Sequence, residues 1–176
     1  MNLANKITTL RLLLIPVFVL AYYLLGRDMN IAAIIFIIAS LTDALDGYIA
    51  RSRKLVTTFG KFVDPLVDKV LTMAAFIVLV EGKILPAWAV VIIIARELII
   101  TGFRTLAADA GKTIAASPWG KAKTISQMVS LVMLLVNIPI LNKIGIWVFY
   151  IAVILTLISG LDYLYKNKEV LDLENI

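Results

Sequence analysis

The chain contains no histidine and no cysteine. Those two absences exclude triads built on an imidazole base, thiol nucleophiles, disulfides and the usual zinc ligands. The sequence also has no internal repeat, no low-complexity segment and no linker of the kind that separates domains. Residues 1–176 are therefore expected to form a single domain. No small-residue cleavage site follows the first apolar run, which ends in Leu25-Gly26-Arg27-Asp28. That run is read as a retained span and not as a cleaved leader.

What is abundant is apolar. Hydrophobic residues make up 61% of the sequence, against ~45–50% in soluble domains, which predicts an integral membrane protein. Lys and Arg number 17 against 12 Asp and Glu, a formal charge of +5 suited to anionic lipid headgroups. The basic residues fall in short loops between apolar runs, so nucleic acid is not an expected partner.

The runs predict six transmembrane helices, at roughly 7–25, 31–50, 64–80, 86–106, 122–141 and 144–163. Ahead of the first, Leu3, Ile7, Leu10 and Leu14 share one helical face and predict an N-terminal amphipathic in-plane helix, with Arg11 snorkelling. The expected fold class is thus an all-α integral membrane protein. Residues 52–59 read as a basic connector, and Asp64-Pro65 as an N-cap and first helical residue. The longest polar connection, 107–119, is the candidate for a mobile lid. Residues 142–143 read as a turn, with Tyr163, Tyr165, Lys166 and Lys168 as interface anchors. Met128, Met133 and Phe149 read as packing, and Asp162 as facing headgroups.

Charge asymmetry sets the expected orientation. Lys6, Arg11, Arg51, Arg53, Lys54, Lys61, Arg104, Lys112, Lys121, Lys123, Lys166 and Lys168 fall on one side. Arg27, Lys83 and Lys143 fall on the other. Positive-inside then puts both termini on the cytoplasmic face of the cell inner or plasma membrane.

Four acids stand out against this background: Asp43, Asp46, Asp64 and Asp68. A charge within a hydrophobic span costs ~2.5–3.5 kcal/mol on insertion scales, so such acids mark a functional cavity. Asp43, Asp46, Gly47 and Ala50 follow i, i+3, i+4, i+7 spacing on one helical face, and Asp64 and Asp68 share a face of the next helix. Counted from Asn30 and Glu81 as the polar ends on the opposite side, Asp43 and Asp68 lie roughly 20 Å along their helices. Asp46 and Asp64 lie nearer the other surface, giving two matched layers. Like charges this close stay ionised only with cations between them, and all-oxygen ligation suits Mg²⁺ or Mn²⁺. Gly47 and Ala50 leave room for a ligand, and Arg51 is a fork donor suited to phosphate. The bland alternative is a buried ion-pair network joining Asp43, Asp46, Arg51, Lys69 and the other acids.

Asp43-x-x-Asp46-Gly47-x-x-Ala50-Arg51, eight further residues, then Gly60-x-x-x-Asp64-x-x-x-Asp68 resembles the complete signature of the CDP-alcohol phosphotransferase family. Asn5-x-x-Thr8-x-x-Arg11 is similar to the start of that family, which usually has Pro where this chain has Ala4. The resemblance implies two divalent ions held by Asp43, Asp46, Asp64 and Asp68. It implies cytidine-diphosphate contacts from Asp46, Gly47, Ala50 and Arg51, and Asp68 as general base. It also implies a homodimer. A two-metal arrangement would polarise the diphosphate and neutralise the leaving phosphate, chemistry that needs no protein nucleophile.

Arg96-Glu97-x-x-Ile100-Thr101-x-x-Arg104 and Ala115-Ala116-Ser117-x-Trp119-Gly120-Lys121-x-Lys123-Thr124-x-x-Gln127 resemble the phosphatidylglycerolphosphate synthase branch. That branch joins CDP-diacylglycerol and sn-glycerol 3-phosphate to give phosphatidylglycerol phosphate and CMP. An acceptor phosphate would need cations outside the metal site, and Arg96, Arg104, Lys121 and Lys123 are the candidates. Arg96 and Glu97, about 100° apart on a helix, are expected to have different partners, with a structural salt bridge the alternative to a ligand role. Other acceptors (an inositol phosphate, serine or phosphatidylglycerol) remain as alternatives. A divalent-cation transporter is the reading from a different class, since intramembrane carboxylates also line ion pathways.

Overall fold

A computed structural model describes the backbone of residues 3–27, 30–53, 58–109 and 117–167, and the side chains of 9–27, 30–42, 66–67, 69–107 and 117–167. Within them lie six helices and no strand: α1 (Leu3–Leu25), α2 (Ile31–Arg53), α3 (Thr58–Glu81), α4 (Ala87–Asp109), α5 (Pro118–Leu135) and α6 (Pro139–Lys166). The chain is all-helical, as its unbroken apolar runs predict. Contact runs α1 to α2 and α3, α3 to α4 and α5, and α4 and α5 to α6, with α2 also against α3 and α5.

Small and large side chains divide the work of packing. Ala32, Ala33 and Ala39 of α2, Ala75 of α3, Ala89 of α4 and Ala152 of α6 are buried and let the helix axes approach. Phe18, Phe36, Phe76 and Phe149 fill the space between them, pairing Phe18 with Phe36 at 5.8 Å and Phe76 with Phe149 at 5.9 Å between ring centroids. Gly145 marks a close approach of α5 and α6. A Cβ there would lie 3.0 Å from the Met133 Cβ and 3.1 Å from Leu134 side-chain atoms, so α5 and α6 meet because that position is bare. Outward, all six helices expose large apolar side chains, among them Leu13, Ile34, Ile77, Val91, Ile125 and Trp147. Apolar exposure on this scale is foreign to a water-soluble monomer. Among the described residues, α6 is long and apolar enough to cross a membrane, and Thr9–Leu25 and Ile31–Thr42 are shorter apolar segments.

One end of the bundle is cross-tied by polar groups. Gly26 takes a left-handed conformation (φ 68°) just after α1, the usual glycine stop. Arg27 then donates to the Leu134 carbonyl (2.6 Å) and to Asn142 Oδ1 (3.1 Å), covering the C-terminal end of α5. Asn30 Oδ1 accepts from the Asn137 backbone N–H at 2.6 Å, and Tyr23 donates to Glu81. Asn30 and Glu81 are thus the polar ends that the depth argument required.

Several expected boundaries move. The in-plane helix is not a separate element: residues 3–25 are one helix that runs through Pro16. Arg11 does not snorkel; it is buried, 1% exposed. The 52–59 connector shrinks to the interval between Arg53 and Thr58, and of the 107–119 lid candidate only 110–117 fall between helices, with 110–116 outside the described residues. Asp64 is not a cap. The α3 helix begins six residues earlier and runs through Pro65, which is tolerated where neighbouring helices support the backbone. The fifth span stops at Leu135, not 141, and Pro139 opens α6 instead of sitting inside α5. The turn at 136–138 is nearly as apolar as its flanks, so hydropathy conceals it, whereas proline at the first helical position declares it. Tyr163, expected as an anchor, is buried at 4% exposure, while Tyr165 is exposed and Asp162 pairs with Lys166 at 2.7 Å.

Because α5 and α6 have no slack at Gly145, Gly145→Ala should lower unfolding stability by about 1–3 kcal/mol, the usual range for overpacking. Reversible unfolding in detergent measures this, and an unchanged midpoint would mean the two helices can part freely.

Candidate functional site

The acidic helices supply the frame. Helix α2 continues unbroken to Arg53, so Asp43, Asp46, Gly47 and Ala50 occupy one sector of about 100°. Because α3 starts at Thr58, Gly60, Asp64 and Asp68 lie on a single helix at i, i+4, i+8. The two helices pack against each other. The side chains of Asp43, Asp46, Gly47, Ala50, Arg51, Asp64 and Asp68 lie outside the described residues, so helix position alone locates them. Carboxylate oxygens, in a chain without imidazole or thiol, are the donor set of a hard divalent ion.

At this same end of the bundle, away from the tied one, a cavity of about 750 Å³ opens between α3, α4, α5 and α6. Lys69, the residue after Asp68, enters it from α3, and Arg96, Thr101 and Arg104 from α4. Helix α5 is started here by Ser117, whose hydroxyl accepts the Gly120 N–H at 3.1 Å, with Pro118 in the first turn. That start presents Lys121 and Lys123 to the cavity. The four candidate acceptor-phosphate cations, Arg96, Arg104, Lys121 and Lys123, therefore line one space.

Their charge is partly answered by Glu97. One carboxylate oxygen, Oε1, takes Lys123 and, at 3.1 Å, Arg96; the other, Oε2, takes Lys69 at 2.8 Å. The expectation that Arg96 and Glu97 have different partners is half corrected: they pair with each other, since both side chains are long enough to bend round a 100° offset. Arg96 also donates to Ser159 Oγ at 3.1 Å. The glutamate side chain is 14% exposed and the Lys123 side chain 4%, so the cluster is largely withdrawn from solvent. Withdrawn from water, each charge demands an opposite one nearby, and here one anion serves three cations. Arg104 is held differently, with its Nε donating to the Tyr163 hydroxyl at 3.3 Å and its guanidinium carbon 5.7 Å from the ring centroid. Lys121 is exposed at the mouth.

Sequence reasoning missed the parts supplied by α6. Ser159 bonds Arg96, and Gly160 makes room for it: a Cβ there would lie 3.3 Å from Arg96 Cγ. Deeper, Gln127 donates to Thr156 at 3.1 Å across buried α5 and α6 surfaces. A smaller cavity of about 90 Å³, reached by Lys69, Glu97, Lys123 and Gln127, extends the site inward. A signal existed, because Thr156, Ser159 and Gly160 interrupt an otherwise apolar helix at i, i+3, i+4, the spacing of one face.

A model of the CDP-alcohol phosphatidyltransferase family matches residues 1–158. The chain belongs to that family, as its aspartate signature implied. Over 99% of its length it is 44% identical to a Bacillus subtilis (strain 168) protein, CDP-diacylglycerol–glycerol-3-phosphate 3-phosphatidyltransferase, covering 99% of that chain. A Haemophilus influenzae protein of the same name is 42% identical, with 99% of this chain and 97% of that one covered. A third of that name, from Rickettsia bellii, is 37% identical, with 96% of each covered.

Ser159→Ala would leave a part-buried Arg96 nitrogen without its Ser159 acceptor. We expect a loss of about 1–3 kcal/mol, the cost of an unsatisfied buried donor, read as a lower unfolding midpoint in detergent. Gly160→Val, which forces Arg96 aside, should cost more than Ser159→Ala; the reverse order would mean Arg96 is not held between α4 and α6.

Proposed function

We propose that this chain transfers a phosphatidyl group from CDP-diacylglycerol to sn-glycerol 3-phosphate, giving phosphatidylglycerol phosphate and CMP. The observation that carries the reading is the juxtaposition at one end of the bundle. Lys69 and the four candidate acceptor cations line a single cavity there, and its α3 wall continues directly from Asp68 to Lys69. The near full-length similarity to phosphatidyltransferases of that name supports the same donor and acceptor.

On this reading Asp43, Asp46, Asp64 and Asp68 hold two divalent ions, Mg²⁺ or Mn²⁺. Such ions, when bound, polarise the diphosphate and neutralise the leaving CMP. Arg51 clamps a diphosphate oxygen, and Gly47 and Ala50 leave space for the nucleotide to approach α2. Asp68 takes the proton from the acceptor hydroxyl as its oxygen bonds to the lipid-bearing phosphorus and the bond to CMP breaks. Arg104 and Lys121, at the mouth, and Arg96 and Lys123, deeper, attract and orient the acceptor's own phosphate.

The same reading takes residues 1–176 as one membrane domain in which all six helices span the bilayer, supported by apolar exposure on every helix. The excess of Lys and Arg at the cavity end supports cytoplasmic termini and a cytoplasmic site, where nucleotide-activated lipid and soluble acceptor can both arrive. Arg11 and Lys123, being buried, drop out of that count. A homodimer, implied by the family resemblance, belongs to this reading.

The direct test is CMP release by purified protein from CDP-diacylglycerol with glycerol 3-phosphate, glycerol, serine, an inositol phosphate and phosphatidylglycerol as acceptors. Glycerol 3-phosphate should be used best; glycerol performing as well would remove the need for a phosphate site. EDTA should abolish turnover and Mg²⁺ or Mn²⁺ restore it. Asp43→Asn, Asp46→Asn, Asp64→Asn and Asp68→Asn should each lower turnover at least ~10²-fold in a folded protein. Full activity in EDTA, or in any two of these variants, would overturn the metal scheme.

A separate prediction concerns the acceptor cations. Arg104→Ala and Lys121→Ala should raise the KM for glycerol 3-phosphate roughly 10- to 150-fold, the scale of a lost charge-assisted contact. The KM for CDP-diacylglycerol should move far less. Equal changes for both substrates would assign these residues to the fold and not to the acceptor.

A further inference from the structure

Glu97 occupies an unusual position in the cavity just described. Among the described residues lining it there are five cations, Lys69, Arg96, Arg104, Lys121 and Lys123, and one carboxylate. Three of the five converge on that carboxylate from three different helices, α3, α4 and α5. Lys123, which directs its Nζ at Glu97, is 3% exposed. A phosphate bonded to Lys69 or Lys123 would therefore share them with Glu97 and weaken their hold on it. The geometry resembles a bound anion that happens to be covalently attached to α4.

We propose that Glu97 is a specificity-determining residue, an internal counter-ion that competes with the acceptor's phosphate for Lys69 and Lys123. The inference rests on reading the cavity as the acceptor site. Its physical content is a threshold. A monoanion such as a simple carboxylate brings the same charge as Glu97 and gains nothing by displacing it. A phosphomonoester dianion brings twice the charge and three acceptor oxygens, so it offers the cations more than the glutamate does. Glu97 thus sets the cavity to accept phosphomonoesters, to refuse singly charged anions and to hold even the right ligand loosely enough to turn over. In its absence the three cations would lose the one carboxylate that they share among the described residues, and a singly charged anion could take its place.

Anion binding to full-length protein in detergent tests this, by the concentration dependence of the thermal unfolding midpoint. The probes are glycerol 3-phosphate, inorganic phosphate and acetate at constant ionic strength, with wild type, Glu97→Gln and Glu97→Asp. Glu97→Gln alone should unfold at a lower temperature yet bind glycerol 3-phosphate roughly tenfold more tightly, the order of one charge-assisted contact no longer contested. Acetate, without effect on wild type, should stabilise it. Its KM for glycerol 3-phosphate should fall while the KM for CDP-diacylglycerol stays put, a split that a structural role would not produce. Glu97→Asp keeps the charge and the fold but is one methylene too short for all three cations. It should show the same tightening to a smaller degree, which covers the case in which Glu97→Gln does not fold.

Binding of glycerol 3-phosphate that is equal or weaker in the folded variants, with wild-type binding intact, would overturn the role of Glu97 and leave the acceptor site standing. No response of wild type to glycerol 3-phosphate, together with an unchanged KM in Arg104→Ala, would overturn both.

Discussion

The arrangement of the cavity-facing helices depends on one carboxylate. Glu97 gathers Lys69, Arg96 and Lys123 from α3, α4 and α5 into contact, and Arg96 carries the connection on to Ser159 of α6. Four of the six helices are joined through that single group. In a lipid environment the hydrophobic effect does not drive helices together, so close packing and polar contacts must. The bundle meets this constraint with alanines and Gly145 where helices only touch, and with the Glu97 cluster where they must also leave a cavity. Removing one partner from a buried ion pair typically costs about 3–5 kcal/mol, far more than a surface pair is worth. The cluster therefore ties α3, α4 and α5 together beside the cavity.

Much of this organisation can be read directly from residue order. Six helices, the polar ends at Asn30 and Glu81, and two acidic faces followed from hydropathy and spacing. The errors arose where one local rule met a longer-range one. Asp64-Pro65 has the grammar of a helix start, but Gly60, Asp64 and Asp68 already keep the four-residue spacing of one continuous face, and α3 follows the face. At residues 136–138 the reverse happened. Hydropathy ran straight on, while Pro139, a good first helical residue, marked the true boundary. Arg11 was assigned to the surface because a lone arginine usually reaches water; its burial depends on what surrounds α1, which its own sequence does not encode.

The candidate site divides along similar lines. Arg96, Arg104, Lys121 and Lys123 were legible as a group because they run from the middle of α4 to its C-terminal turns and along the first turns of α5, and both stretches border the one cavity. Glu97 was legible only as a charge needing an answer. Its partners include Lys69, 28 positions away, and no periodicity within one helix reveals such a contact. Ser159 and Gly160 were overlooked for another reason, although with Thr156 they keep the spacing of one face. Small residues in an apolar helix read as packing until the arginine lying across them is seen.

The polar ties at the far end carry a mechanical consequence. There α1 is bonded to α3 through Tyr23 and Glu81, the segment after α1 is bonded to the α5–α6 turn, and α3 turns into α4 within five residues closed by backbone hydrogen bonds. Helix α4 spans 23 residues, or roughly 34 Å at 1.5 Å per residue. With its root fixed it acts as a lever arm, and a tilt of only about 5° displaces its tip by roughly 3 Å over that length. That travel is comparable to a single hydrogen-bond distance, enough to make or break the contact of Arg104 with Tyr163. The anchored end is the fulcrum, so a small tilt there is magnified along the length of the helix.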